Sequence, residues 1–300
     1  MQYLFEFQPY RRKFKHPLQT NYGIWEVREG IIISLTDESG KTNRGEIAPI
    51  SWFGSETLTQ ALLFCQQLPT KITAKEIFAI PDDLPACQFA FESALTTHPA
   101  VSVAYSGLLP AGESVLQQWQ MLYDRGYCTL KWKIGVYPLT EELAIFDVLV
   151  RSLPQSVKLR LDANGGLSYD AANVWLQTSD NLKASVEIEF IEQPLPVAQF
   201  DEMMALASCY DTAIALDESV ATFKQLVACY EQGWRDIFVI KPCIAGYPWR
   251  LRQFCQRRDI DAVFSSVFET EVGREAALSI AAKLSNGDRA VGFGISHWFD

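Results

Sequence analysis

The residues in this sequence that could do chemistry fall at the ends of short apolar runs. In TLKWKIG (residues 129–135) Lys131 and Lys133 are two apart, so in a strand both project from one face while Trp132 projects from the other. Two such lysines either reach solvent at a rim or share a cleft. In a cleft each disfavours the other's charged form, which lowers the pKa and lets a lysine accept a proton near neutral pH. In LRLDANGG (159–166) Arg160, Asp162 and Asn164 share a face, and the alternative role for Asp162 and Asn164 is to shape the following turn. EFIEQPLP (189–196) ends its apolar run on Glu192, and Pro194 stops it. IALDES (214–219) ends on Asp217 and Glu218, for which a helix N-cap is the alternative. FVIKPCIAG (238–246) supplies Lys241. Three carboxylates on successive strands would repel by an amount on the order of several kcal/mol at low dielectric. A hard divalent ion resolves that repulsion, and oxygen-only ligation suits Mg²⁺. Lysines on both walls of a cavity with a carboxylate-bound metal on its floor suit one task. That task is removing a proton next to a metal-bound carboxylate and stabilising the enediolate that results.

These groups need strands to carry them. From about residue 99 short apolar runs alternate with amphipathic ones. The predicted strands are 100–105, 127–134, 156–162, 186–192, 212–217, 236–241, 261–266 and 289–293. Between them lie predicted helices such as 113–124, 139–152, 169–178, 222–232, 247–257 and 270–284. The alternation argues for parallel pairing in an α/β fold, either a (β/α) barrel or an open doubly wound sheet. The polar strand ends favour the barrel: Lys131, Asp162, Glu192, Asp217, Lys241 and Ser265 follow one another at intervals of 31, 30, 25, 24 and 24 residues. A barrel converges such carboxyl-end groups on one point. Residues 1–98 read as a separate α+β unit. Strands are predicted at 2–8, 26–36 and 42–47, with Asp37-Glu38-Ser39-Gly40 as the turn before the last. Helices are predicted at 56–68, with Ser55 as N-cap, and at 84–97.

Composition narrows the partners. The chain has 300 residues, 48% hydrophobic and 21% charged, which excludes a disordered or fibrous chain. Its formal charge of −10 and lack of a basic tract argue against nucleic acid and anionic membrane as partners, while a bound metal or local cations leave room for a small anionic substrate. No apolar run approaches the ~20 residues of a transmembrane helix. The opening MQYLFEFQPYRRKFK has its basic cluster after its apolar residues and does not read as a signal peptide. Seven cysteines without a CxxC pair point to reduced thiols and a cytoplasmic setting. The three histidines are scattered, with no HExxH and no HxH, and no P-loop is present.

KWK, RLDAN, IEQP, LDES and IKP, in that order and spacing, resemble the enolase superfamily, muconate-lactonizing subgroup, and RGEIAPI at 44–50 resembles that family's capping-domain motif. The resemblance implies a (β/α)7β-type modified TIM barrel over 99–285 with an N-terminal α+β capping domain over 1–98, to which 286–300 return. It implies Asp162, Glu192 and Asp217 as ligands of Mg²⁺, with Mn²⁺ as a substitute. It makes Lys133 the acid/base, Lys131 its pKa-lowering neighbour and Lys241 the lysine of the opposite face. Asn164, Glu218 and Arg160 would support the ligands from behind. Within the subgroup, the short chain and the PLQTNYG and FSSVFETEVG segments resemble o-succinylbenzoate synthases, lyases of menaquinone and phylloquinone biosynthesis. In that reading Ser265 and Ser266 hold the succinyl side of the substrate. Trp52 and Phe53 wall the ring, and Asn21 stands in the mobile cap loop where relatives often carry Arg. Loops near 18–23 and 50–54 would then cover the barrel mouth. The alternatives are an N-acylamino acid racemase or dipeptide epimerase of the same superfamily, or a non-catalytic barrel. Dipeptide epimerases usually carry a DxD at the end of the eighth strand, and VGFGISHWF has no acid there. The resemblance leaves the oligomeric state open.

Overall fold

The structure, a computed structural model, describes residues 1–20, 23–183, 186–285, 289–295 and 298–299. The cap is a four-stranded antiparallel sheet built from β1 (Gln2–Thr20), β2 (Gly23–Thr36), β3 (Thr42–Ile47) and β4 (Lys71–Thr73), in the order β3-β2-β1-β4. Its helices are α1 (Leu58–Gln67), α2 (Ala74–Ile77) and α3 (Pro85–Ser93). The first two strands are far longer than their apolar runs predict, because they pair with each other from Leu4–Thr36 to Lys13–Val27 and, after a register shift, from Leu18–Trp25 to Thr20–Gly23. Leu18–Thr20 and Gly23–Trp25, within the region expected as a covering loop, are therefore paired strand. Thr57, not Ser55, caps α1: its hydroxyl accepts from the Gln60 amide while the Gln60 side chain accepts from the Thr57 amide. The Ser55 hydroxyl instead accepts from the Ile50 amide at 2.7 Å. Every residue of α3 is buried. Gly45 lets this helix lie directly on β3, since a side chain there would overlap the Ala90 carbonyl.

The second unit alternates strand and helix. Its strands are β5 (Ser106–Leu109), β6 (Thr129–Lys133), β7 (Lys158–Asp162), β8 (Glu187–Glu192), β9 (Ile214–Leu216), β10 (Ile237–Ile240) and β11 (Ala262–Phe264). All are parallel and pair in sequence order. Its helices are α4 (Val115–Asp124), α5 (Leu139–Ser152), α6 (Tyr169–Asp180), α7 (Phe200–Cys209), α8 (Phe223–Glu231), α9 (Pro242–Ala245), α10 (Pro248–Arg258) and α11 (Glu271–Leu284). Helix α7 had no counterpart in the sequence reading. The first strand lies at 106–109 and not at 100–105, where only Tyr105 makes a bridge. The predicted strand 289–293 is reduced to two isolated parallel bridges, Tyr105 with Val291 and Ser265 with Gly292. Those two bridges join the edge strands β5 and β11 and close the barrel. Downstream, Phe299 stacks on Phe14 of β1 at 4.8 Å, so the last described residue touches the cap sheet.

Barrel side chains form two populations. Trp132 points outward and is fully buried against Trp175 of α6, which in turn meets Phe146 of α5. Inward, Phe190, Ala215, Ile237, Val239 and Val263 make a separate apolar plug. Around that plug Arg160 binds Glu189 at 2.7 Å and lies over the Phe190 ring, and Arg289 joins Glu189 (2.8 Å) to Asp261 (2.5 Å). The register of β7 and β8 slips by one residue between Leu159 and Arg160, leaving Glu189 unpaired in the ladder and available to both arginines.

Candidate active site

A cavity of about 260 Å³ lies between barrel and cap, lined by strand-end residues and by Leu18, Trp25, Ile50, Trp52 and Phe53 of the cap. Adjacent-strand register sets its chemistry. Lys133 pairs with Asp162 and Asp162 with Glu192, so three strand ends lie at one level. Glu192 pairs with Ala215, and Asp217 follows two residues later on the same face. Lys131, Lys133, Asp162, Asn164, Asp217, Glu218 and Lys241 line the cavity; Glu192 is buried and does not line it. Ser265 and Ser266 line it from the seventh strand, and Trp52 and Phe53 from the cap. Asn21 lies outside the described residues.

Lys131 sits between two carboxylates, 2.8 Å from Asp162 and 2.7 Å from Glu192. Burial opposes its charge, but Asp162, Glu192 and Asp217 outweigh burial and hold its pKa well above the usual lysine value. In this arrangement Lys131 is the counterion of the carboxylates. Lys241 donates to Asp217 and lies over the Phe53 ring, 4.0 Å from its centroid. Even with these partners, burial pushes Glu192 up to about 8 and Asp217 up to about 6. Glu218 is raised too, first by burial and then by the Asp162 charge. It accepts from Asn164 Nδ2 at 3.3 Å, and its second oxygen is buried without a partner among the described residues. When all four carboxylates are ionised they outnumber the three ammonium groups by one negative charge, and burial resists that state.

That excess and the oxygen-only donors fit a hard divalent cation. The carboxylates are not drawn into a ligand cluster: among the described residues no three His, Cys, Asp or Glu side chains are gathered closely enough to hold a metal. Lysine ammonium groups occupy the positive positions instead. Arg160 does not touch Asp162, Glu192 or Asp217 through any ion pair found among the described residues. Two residues back along β7 places it one layer deeper, where its partner is Glu189. The Ser266 hydroxyl donates to Glu269 and accepts from the Phe268 amide, so it shapes the loop 265–269.

Several site residues escaped the sequence reading. Gln193 is fully buried with φ +39°. Its side-chain oxygen accepts from the Asp217 and Ser219 amides, and its nitrogen donates to the Ser219 hydroxyl, which fixes the turn that presents Asp217. Its place between Glu192 and Pro194 was the available signal. Glu142 is fully buried and accepts from the amides of Gly135, Val136 and Tyr137, pinning the loop that follows Lys133. Glu46, in the RGEIAPI segment of the cap, accepts from the amides of Thr270 and Gly273 at the start of α11 and from the Tyr10 hydroxyl. Leu18, Trp25, Ile50, Phe268 and Ile295 add apolar wall.

The family model for the enolase C-terminal domain-like fold matches residues 114–299, and that for the MenC N-terminal domain matches 18–98. The chain is 38% identical over 297 residues to o-succinylbenzoate synthase of Thermosynechococcus vestitus, covering 96% of this chain and 91% of that one. It is similar to the crystal structure of o-succinylbenzoate synthase from Thermosynechococcus elongatus BP-1, complexed with Mg in the active site. There the TM-score is 0.93 at 38% identity, over 99% of this chain and 94% of that one. A dipeptide epimerase from Enterococcus faecalis, at 22% identity and TM-score 0.82 over 97% and 90% of the two chains, shares the fold. The chain belongs to the o-succinylbenzoate synthase family of the enolase superfamily.

Proposed function

We propose that the cavity carries out the Mg²⁺-dependent syn-dehydration of 2-succinyl-6-hydroxy-2,4-cyclohexadiene-1-carboxylate to 2-succinylbenzoate, a step of menaquinone or phylloquinone biosynthesis. The observation that carries this reading is the placing of Lys133 and Lys241 on the walls of one cavity whose floor is carboxylate and whose lid is aromatic. Asp162, Glu192 and Asp217 would hold the ion. When bound, it supplies a Lewis acid that anchors the substrate carboxylate and takes up charge as the neighbouring carbon loses its proton.

The chain's own groups do the rest. Lys133 takes the proton from the ring carbon bearing the carboxylate. That C–H pair becomes a ring double bond as the C–O bond at the hydroxyl carbon breaks. Lys133 returns its proton to the departing oxygen on the same face, and water leaves. The ring becomes aromatic, which drives the step. Lys241 contributes charge and holds its position against Asp217 and Phe53. Trp52, Phe53 and Phe268 exclude water and wall the ring. Ser265 meets the succinyl arm.

Purified protein with Mg²⁺ and the cyclohexadiene acid should give the aromatic product, followed by its ultraviolet absorbance. A racemase of N-acylated amino acids would instead need both lysines as bases, one on each face. Lys133→Arg and Lys241→Arg separate the two, because guanidinium keeps the charge and cannot accept a proton. In the dehydratase Lys133→Arg abolishes exchange of the substrate α-proton with solvent deuterium, and Lys241→Arg leaves it measurable though slowed. The opposite pattern would assign the base to the other wall.

A further inference from the structure

A second cavity, about 360 Å³, lies on the far side of α3 from the cap sheet, where the cap hands over to the barrel. It is walled by the end of α3, the connecting segment 95–99, Pro248 and Arg252 of α10, and Ser279, Ile280 and Lys283 of α11. Nothing in the proposed dehydration uses it. Its polar groups are arranged asymmetrically. Arg252 of α10 and Lys283 of α11 line it, together with His98. The single acid is Glu92, and its carboxylate is engaged: Arg252 donates to it at 2.8 Å and the Trp249 amide at 3.1 Å. Arg252 and Lys283 against Glu92 put two cations beside one anion on this wall.

A second observation is independent of that charge. Ser93, 2% exposed, is one of the residues that line the same cavity, and its buried hydroxyl has no hydrogen-bond partner among the described residues. A buried hydroxyl left unpaired costs about 1–3 kcal/mol, so the position is stable only where something else supplies a partner or another contact repays it. The His98 ring is bonded to the Ser93 carbonyl, 2.9 Å away, which ties the connecting segment to the end of α3. The remaining wall is apolar, from Phe78, Leu95, Pro248 and Ile280.

We propose that this cleft is a binding site for a small, singly charged organic carboxylate with an apolar body. The carboxylate would lie between Lys283, Arg252 and the Ser93 hydroxyl, and the body against Phe78, Leu95 and Ile280. Two cations beside one anion match a monoanion, and the apolar wall offers nothing to a fully hydrated inorganic ion. Because the cleft is made by cap and barrel together, an occupant braces the one against the other.

Benzoate is the probe, titrated calorimetrically into the full-length protein, with inorganic phosphate as the comparison ligand. Ser93→Ala and Lys283→Ala both suit the test, since the first removes an atom without a partner and the second an exposed side chain. Saturable benzoate binding is expected, weakened about fivefold by Ser93→Ala and about threefold by Lys283→Ala. Lys133→Ala, in the barrel cavity, should leave this binding event in place. The proposal is overturned by no saturable binding up to about 10 mM. It is equally overturned by binding that Lys133→Ala removes and the two cleft variants leave unchanged, or by phosphate binding as tightly as benzoate.

Discussion

Glu46→Gln tests how the cap holds the active-site loop. The Glu46 carboxylate is fully buried and takes four donors: the Thr270 amide at 2.8 Å, the Gly273 amide at 2.9 Å, the Tyr10 hydroxyl at 2.5 Å, and the Thr270 hydroxyl. All of the charge sits at the first turn of α11, where the helix dipole favours an anion. Glutamine keeps the shape and one accepting oxygen. Its amide nitrogen can bond the Thr270 hydroxyl by reversing that bond, but it meets the Gly273 N–H donor to donor. The change therefore loses one charged hydrogen bond outright, about 1.5–3 kcal/mol, and the interaction with the dipole, about 1 kcal/mol. A total near 3 kcal/mol lowers the melting temperature by about 5–10 °C in a chain of this size. Thr270 also closes the loop carrying Ser265, Ser266 and Phe268 into the cavity. KM for the cyclohexadiene acid should therefore rise more than kcat falls. Urea unfolding and steady-state kinetics on the same preparation measure both. A stability change within about 0.5 kcal/mol with unaltered KM would refute the reasoning.

Asp217→Asn should remove most turnover while the circular dichroism of the fold survives, and exhaustive chelation should do the same to the parent protein; full activity after chelation would exclude a metal role. Glu192 and Asp217 have pKa values raised by burial, so the native metal-free protein binds more protons than the unfolded chain between about pH 4 and their folded values near 8 and 6. Its stability should therefore fall as pH rises through that window, and Glu192→Gln should flatten the slope; denaturant titrations at several pH values, in chelator, check the sign. Gly292→Ala would place a Cβ 2.8 Å from Ser265 Oγ, so it should cost about 1–3 kcal/mol and reduce kcat/KM by displacing that serine.

The barrel and its ring of charges were legible because each strand ends on a polar residue at a repeat of a βα unit's length. That pattern depends on local sequence alone, whereas the pairing of Asp162 with Glu192 also needs the register shift between β7 and β8. What was not legible depends on partners distant in the chain. The strand at 106–109 is chosen over the apolar 100–105 by its pairing with β6. The position of Arg160 is set by a register slip in the neighbouring strand, which no spacing within LRLDANGG encodes. Lys131 was read as a neighbour that depresses the pKa of Lys133. The carboxylates that claim it come from β7 and β8, the nearer 31 residues away and the further 61. Glu46 was visible as part of a motif, but its reason for being buried is a helix start more than 220 residues later.

Among the described residues, the apolar plug with Arg160, Glu189, Arg289 and Asp261 around it fills the barrel interior on the side away from the cap. Molecules enter and leave past the same cap residues, so there is no through-flow. A product molecule still inside physically blocks the next substrate, and the two cannot be bound together in the barrel. Inhibition by product is then competitive as a matter of geometry. The water released by the reaction must also leave upward, so the enclosure that shields the proton transfer has to loosen in every cycle.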